Sequence, residues 1–133
     1  MQNTLKGWLA DNTVTTDDKT DKILLLESAG NIGLEQIYKE MKEEDTGLKM
    51  ETIVHVVTLF LRIVMRFVLN GYSVNTGLFR AVVQFVGTVK KGVWNPEENS
   101  IYVSFNQEKQ LREAIAKTKV EILGTKANVM YIL

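Results

Sequence analysis

The chain has 133 residues, 45% of them hydrophobic and 24% charged, with a formal net charge of zero. That profile fits one globular domain with a real core and excludes a strongly basic nucleic-acid binder. Cysteine is absent, which excludes disulfides and thiolate chemistry and fits a reducing compartment. Charge is nonetheless segregated: residues 1–50 carry six Lys/Arg against ten Asp/Glu (−4), and residues 51–133 carry ten against six (+4). That segregation leaves two readings open, a positive surface on the C-terminal elements or the chance spread of a few solvated charges.

Residues 1–21 form a polar N-terminal segment rich in Thr, Asp and Lys, with Leu5, Trp8, Leu9 and Val14 as its only anchors. The i, i+3, i+4 spacing of Leu5, Trp8 and Leu9 allows a short helical turn or a staple onto the body. No signal-peptide core is present at this end, so a cytoplasmic location is expected. Lys22–Glu27 (KILLLE) is too short for a helix and predicts a strand. Leu34, Ile37, Tyr38 and Met41 then fall at i, i+3, i+4, i+7, an amphipathic helix over about 32–44 with Asn31 as a candidate N-cap.

Asp45-Thr46-Gly47 breaks that helix, and a second one runs from Leu48 to Asn70-Gly71. Its polar residues Glu51, His55, Thr58, Arg62 and Arg66 share one narrow stripe; apolar side chains cover most of the rest. An ordinary surface helix needs an apolar arc of only about 100°. This surplus predicts a partner, with Val57, Phe60, Leu61, Val64 and Phe67 in a dimer interface. A membrane span is not expected, because Ile53–Leu69 carries His55, Arg62 and Arg66, each costly at bilayer depth.

After Gly71 the period changes. Tyr72, Val74, Thr76, Phe79, Val82, Val83, Phe85 and Val86 are strand formers, and Gly77 marks a bulge or tight bend among them. A turn at Trp94–Asn99 leads to a strand at Ile101–Phe105. Asn106 is a candidate cap for a last helix over about 107–117, with Leu111, Ala114 and Ile115 facing inward. Lys119–Leu123 and Asn128–Leu133 predict two further strands. The order is β, α, α, β-meander, α, β, β.

Catalytic constellations are scarce. His55 is the single histidine, and a lone imidazole without converging ligands makes no metal site. No serine sits in a nucleophile elbow and no Gly-rich phosphate loop occurs, so no enzyme, cofactor or metal is expected. Binding chemistry is better represented. Arg80, Gln84, Lys90 and Thr88 share one parity of the first ribbon strand, opposite Ala81, Val83 and Phe85; Lys90 and Lys91 lie near the hairpin tip; Lys109 and Arg112 open the last helix, where free N–H groups favour anions.

The order helix, break, long apolar helix, Gly, three-stranded ribbon, helix over residues 32–117 resembles the HU/integration-host-factor family. In sequence it is similar to HU-like domains that open bacterial multidomain proteins, through NGYSVNTGLFRAVVQFVGTV (70–89), NPEENSIYVSFNQEKQLREAI (95–115) and KVEILG (119–124). The strands KILLLE and KVEILG are similar to that subfamily's additions. The resemblance implies an α+β fold with two N-terminal helices, a three-stranded β-ribbon with a short arm, a C-terminal helix and extra terminal strands, assembled as an intertwined homodimer. It implies an HU-like domain over residues 22–124, with 125–133 a final strand or the start of a following segment. It further implies duplex DNA as partner and a nucleoid location, with Arg80, Gln84, Lys90, Lys91, Lys109 and Arg112 on DNA. Departures are visible too: Pro96 is followed by Glu97-Glu98, and Thr76-Gly77-Leu78-Phe79 replaces the family's Gly-Phe-Gly strand motif. They leave open the alternative of a protein-interaction module on an HU-like scaffold, with the apolar C-terminal strand VMYIL as a further docking edge.

Overall fold

The computed structural model describes residues 2–11 and 21–126. They form β1 (Thr4–Asp11), β2 (Lys22–Leu26), α1 (Leu34–Glu44), α2 (Met50–Leu69), β3 (Val74–Asn75), β4 (Phe79–Val86), β5 (Ser100–Gln107), α3 (Lys109–Ala116) and β6 (Lys119–Thr125), with a 3-10 turn at Lys90–Gly92. The α+β class expected from the sequence holds. Two compact units result, one from Met1–Asn31 with Ala114–Leu133, the other from Ile32–Glu113.

In the first unit β1 is the centre of a three-stranded sheet, antiparallel to β2 and parallel to β6. The helical turn expected at Leu5–Leu9 is thus a strand. Leu5, Trp8 and Leu9 satisfied a helical spacing, but strand partners on both sides take up the backbone hydrogen bonds and override the local period. Gly7 lies beneath Leu24, whose Cγ would be 2.8 Å from a Cβ at that position. The strand expected at 128–133, and the docking edge it implied, lie outside the described residues.

The second unit holds α1, α2 and an antiparallel sheet in the order β3-β4-β5. In α1, Tyr38 and Met41 are half-buried. Its N-cap is Gly33, without a side-chain hydrogen bond, so Asn31 does not cap it as expected. The periodic residues begin at Leu34, and the chain enters the helix one residue before that.

Helix α2 spans about 30 Å at 1.5 Å per residue and ends where the sequence predicts. The Asn70 amide N–H donates to the Phe67 and Val68 carbonyls, the Asn70 side chain donates to the Arg66 carbonyl, and Gly71 takes φ +93°. Glycine adopts that left-handed conformation without the Cβ penalty, which turns the chain out of the helix. Tyr72 then sets its ring edge-on to Phe67 at 5.4 Å between centroids. Gly77, at φ +92°, makes the tight turn between β3 and β4, with its N–H on the Asn75 side-chain oxygen.

The apolar face of β4 and β5 and one flank of α2 enclose a groove of about 440 Å³ lined by Leu61, Val64, Met65, Val68, Phe79, Ala81, Val103 and Phe105, among others. Across it Phe79 and Phe105 meet edge to face at 5.5 Å. Much of α2 nevertheless faces outward. Among the described residues the buried apolar side chains are Ala10, Ile53, Val68 and Ala81, and only two of these belong to α2. Val57 and Val64 are half-buried; Phe60, Leu61 and Phe67 remain 53%, 45% and 44% exposed. The inward face expected for α3 is also thin: Leu111 is half-buried, whereas Ala114 and Ile115 are exposed.

Candidate nucleic-acid interface

Strand β4 has two unlike faces because successive side chains alternate. Ala81 pairs with Phe105, Val83 with Val103 and Phe85 with Ile101; these build the apolar face toward α2. Arg80 pairs with Asn106, Val82 with Ser104 and Gln84 with Tyr102, which gives a mostly polar opposite face. Arg80 and Gln84 therefore share a face, as their parity predicts. The alternation stops at Val86, so Lys90 does not continue it; Lys90 and Lys91 sit in the 3-10 turn beyond the strand.

That turn is held by Asn99, which is 4% exposed. Its side-chain NH2 donates to the Thr88 carbonyl at 2.9 Å, and its side-chain oxygen accepts the Asn95 N–H at 3.0 Å. Gly87, at φ +97°, lets the backbone pass: a Cβ there would meet the Glu98 carbonyl oxygen at 2.6 Å. Lys91 adopts a left-handed φ of 55°, uncommon for a residue with a Cβ. Beside the turn the Phe85 and Trp94 rings meet at 5.5 Å. The scaffold of the tip was missed in the sequence; the turn-forming run Asn95–Asn99 was its only signal.

At the other end of β4, about 20 Å from the tip at ~3.4 Å per residue, Arg80 meets the start of α3. Its Nε–H donates to Glu108 Oε1 at 2.8 Å. Glu108 is held below the ordinary carboxylate range, first by that hydrogen bond; loss of solvent opposes the shift, while the charges of Arg80 and Arg112 add to it. Arg112 donates from a terminal guanidinium nitrogen to the Gln107 carbonyl at 2.7 Å.

The expected N-cap of α3 is displaced. Asn106 lies inside β5, and the helix starts at Lys109. Instead the Gly77 carbonyl accepts the Gln110 N–H at 3.2 Å, and the Leu78 carbonyl accepts the Glu108 N–H at 2.8 Å. The hairpin turn thereby occupies donors that the sequence suggested were open to an anion.

Of the six expected DNA-contacting residues, Arg80, Lys109 and Arg112 thus gather at the α3 end, Lys90 and Lys91 lie at the tip, and Gln84 stands between. Several are engaged within the chain: Lys90 pairs with Glu98 at 3.2 Å and Lys109 with Glu113 at 3.9 Å. Both pairs are well solvated, and pairs of that kind contribute about 0–1 kcal/mol.

Residues 4–125 match a family of DNA-binding domains of the HU type. No curated protein matches the chain. Among solved structures, one of a candidate bacterial DNA-binding protein from Bacteroides vulgatus ATCC 8482 is similar, with 42% identity and a TM-score of 0.84. The match covers 99% of this chain and 53% of that one, so the chain spans about half the length of this solved relative. The resemblance noted from segments 70–89, 95–115 and 119–124 is borne out, and the chain belongs to the family of HU-like DNA-binding domains.

Proposed function

We propose that the chain acts as a dimeric DNA-binding domain that grips the phosphate backbone with the polar face of β4, the Lys90–Lys91 turn and the start of α3. The observation that supports the backbone contact is that Arg80, Lys109 and Arg112 lie at one end of the β4–α3 surface, Lys90 and Lys91 at the other, and Gln84 between them. Spacing along a strand suits successive phosphates, and cations fixed on rigid elements position a duplex without reading its sequence. Family membership supports DNA as the partner class. The outward apolar flank of α2 supports a second copy, since side chains such as Phe60 would otherwise stay half in water.

The test is a mobility-shift titration of a mixed-sequence duplex across a salt series. Contacts with several phosphates require log K to fall linearly with log salt, by about 0.9 for each phosphate neutralised. Absence of binding at about 50 mM salt would overturn the proposal. A protein-interaction module is the second reading, favoured by the ion pairs that occupy Arg80, Lys90 and Lys109. A flat salt profile alongside capture of a protein partner would favour it.

A further inference from the structure

Three acid–base pairs lie on the proposed DNA surface, and they differ in kind. The side chains of Lys90 and Glu98 are 73% and 45% exposed, and those of Lys109 and Glu113 are 81% and 60% exposed. Such solvated pairs open at little cost and re-form in water. Glu108 is different: its side chain is only 17% exposed, and it sits 2.8 Å from the Arg80 guanidinium. Its backbone is fixed as well, because the Glu108 N–H donates to Leu78 and the Gln110 N–H to Gly77. The carboxylate thus cannot swing aside with a flexible loop.

We propose that Glu108 sets the DNA affinity of this domain by neutralising Arg80, so that a phosphate gripped by Arg80 must bind beside a fixed carboxylate. The inference rests on the DNA-contacting role of Arg80 proposed above. A phosphate on Arg80 would stand beside a carboxylate of like charge, and like charges at close range oppose one another. A cation already paired with an intramolecular carboxylate contributes less to counterion release than a free cation does. Glu108 therefore lowers the affinity and flattens its salt dependence.

Glutamine at this position separates charge from geometry. It has the same shape, and its side-chain oxygen still accepts the Arg80 Nε–H, but it carries no charge. In fluorescence anisotropy with a labelled mixed-sequence duplex, Glu108→Gln is expected to bind about fivefold tighter at 0.15 M salt, with a salt slope steeper by about 0.9, one phosphate's share. Glu43→Gln on exposed α1 makes the same change in net charge and is expected to stay within about twofold, because a distant surface charge is screened. In an Arg80→Gln background, Glu108→Gln is expected to lose its effect. Circular dichroism confirms that each variant is folded. Should the unmutated protein bind DNA while folded Glu108→Gln binds no tighter, the role of Glu108 is overturned and the DNA reading stands. Failure of both proteins to bind overturns the DNA reading and this inference with it.

Discussion

Removing the Phe60 ring probes the proposed dimer most directly. A phenylalanine side chain buries on the order of 150–250 Å² when fully covered, and Phe60 is 53% exposed in the isolated chain. About 100 Å² of ring therefore remains to be covered by a partner, worth ~2.5 kcal/mol at ~25 cal/mol per Å². A twofold dimer contains two such rings, so Phe60→Ala is expected to cost about 5 kcal/mol of association. At ~1.4 kcal/mol per decade, the dimer dissociation constant rises by three to four orders of magnitude. Sedimentation equilibrium over a concentration series measures that shift, with circular dichroism reporting whether the subunit stays folded. Phe60→Glu and Val64→Glu are expected to abolish the dimer, because an unpaired carboxylate would be driven into the interface. A stable folded monomer of the unmutated protein, or a change of less than about tenfold for Phe60→Ala, would refute the dimer.

Asn99→Ala removes two side-chain hydrogen bonds from the buried tip scaffold and is expected to destabilise the fold by about 2 kcal/mol; urea denaturation with an unchanged midpoint would refute that. Gly87→Ala forces a Cβ into 2.6 Å contact with the Glu98 carbonyl at a positive φ and is expected to cost at least ~2 kcal/mol, again measured by urea midpoint. The Glu108 carboxyl titrates lower in the folded chain than in the unfolded one, chiefly because of Arg80. Its contribution to stability is therefore complete above the ordinary carboxylate range and is lost as pH falls through the lowered folded value. Thermal melts from neutral pH into the acid range should accordingly show a steeper decline for the unmutated protein than for Glu108→Gln, and parallel curves would count against the ion pair.

Periodicity made most of the second unit legible. Leu34, Ile37, Tyr38 and Met41 mark α1, the polar stripe of Glu51, His55 and Arg62 marks α2, and Gly71 and Gly77 stand at the turns that their positive φ values require. What escaped depends on partners distant in sequence. The strand at Leu5–Leu9 exists because KILLLE and KVEILG flank it, and spacing within five residues cannot report that. The cap expected at Asn106 failed because a backbone carbonyl from another element, here that of Gly77, can satisfy a helix N-terminus as well as a side chain can, and Asn31 stands two residues before the actual N-cap of α1, Gly33. The cations were visible one by one, but the engagement of Arg80 by Glu108 follows from β4–β5 register, which brings residues 28 apart together.

The parallel pairing of β1 with β6 also bears on how the chain is made. Thr4 finds its partner at Lys119, so the central strand of the first sheet leaves the ribosome 115 residues ahead of its neighbour. At roughly 5–20 residues per second, β1 waits on the order of 6–23 s for β6. During that interval it can pair with β2, whose register spans Gly7–Asp11, but its other edge stays open. An unpaired strand edge is a template for pairing with another chain. The intervening residues 32–113 can complete their local hairpin and helices meanwhile, so the sheet that pairs β1 with β6 closes after them.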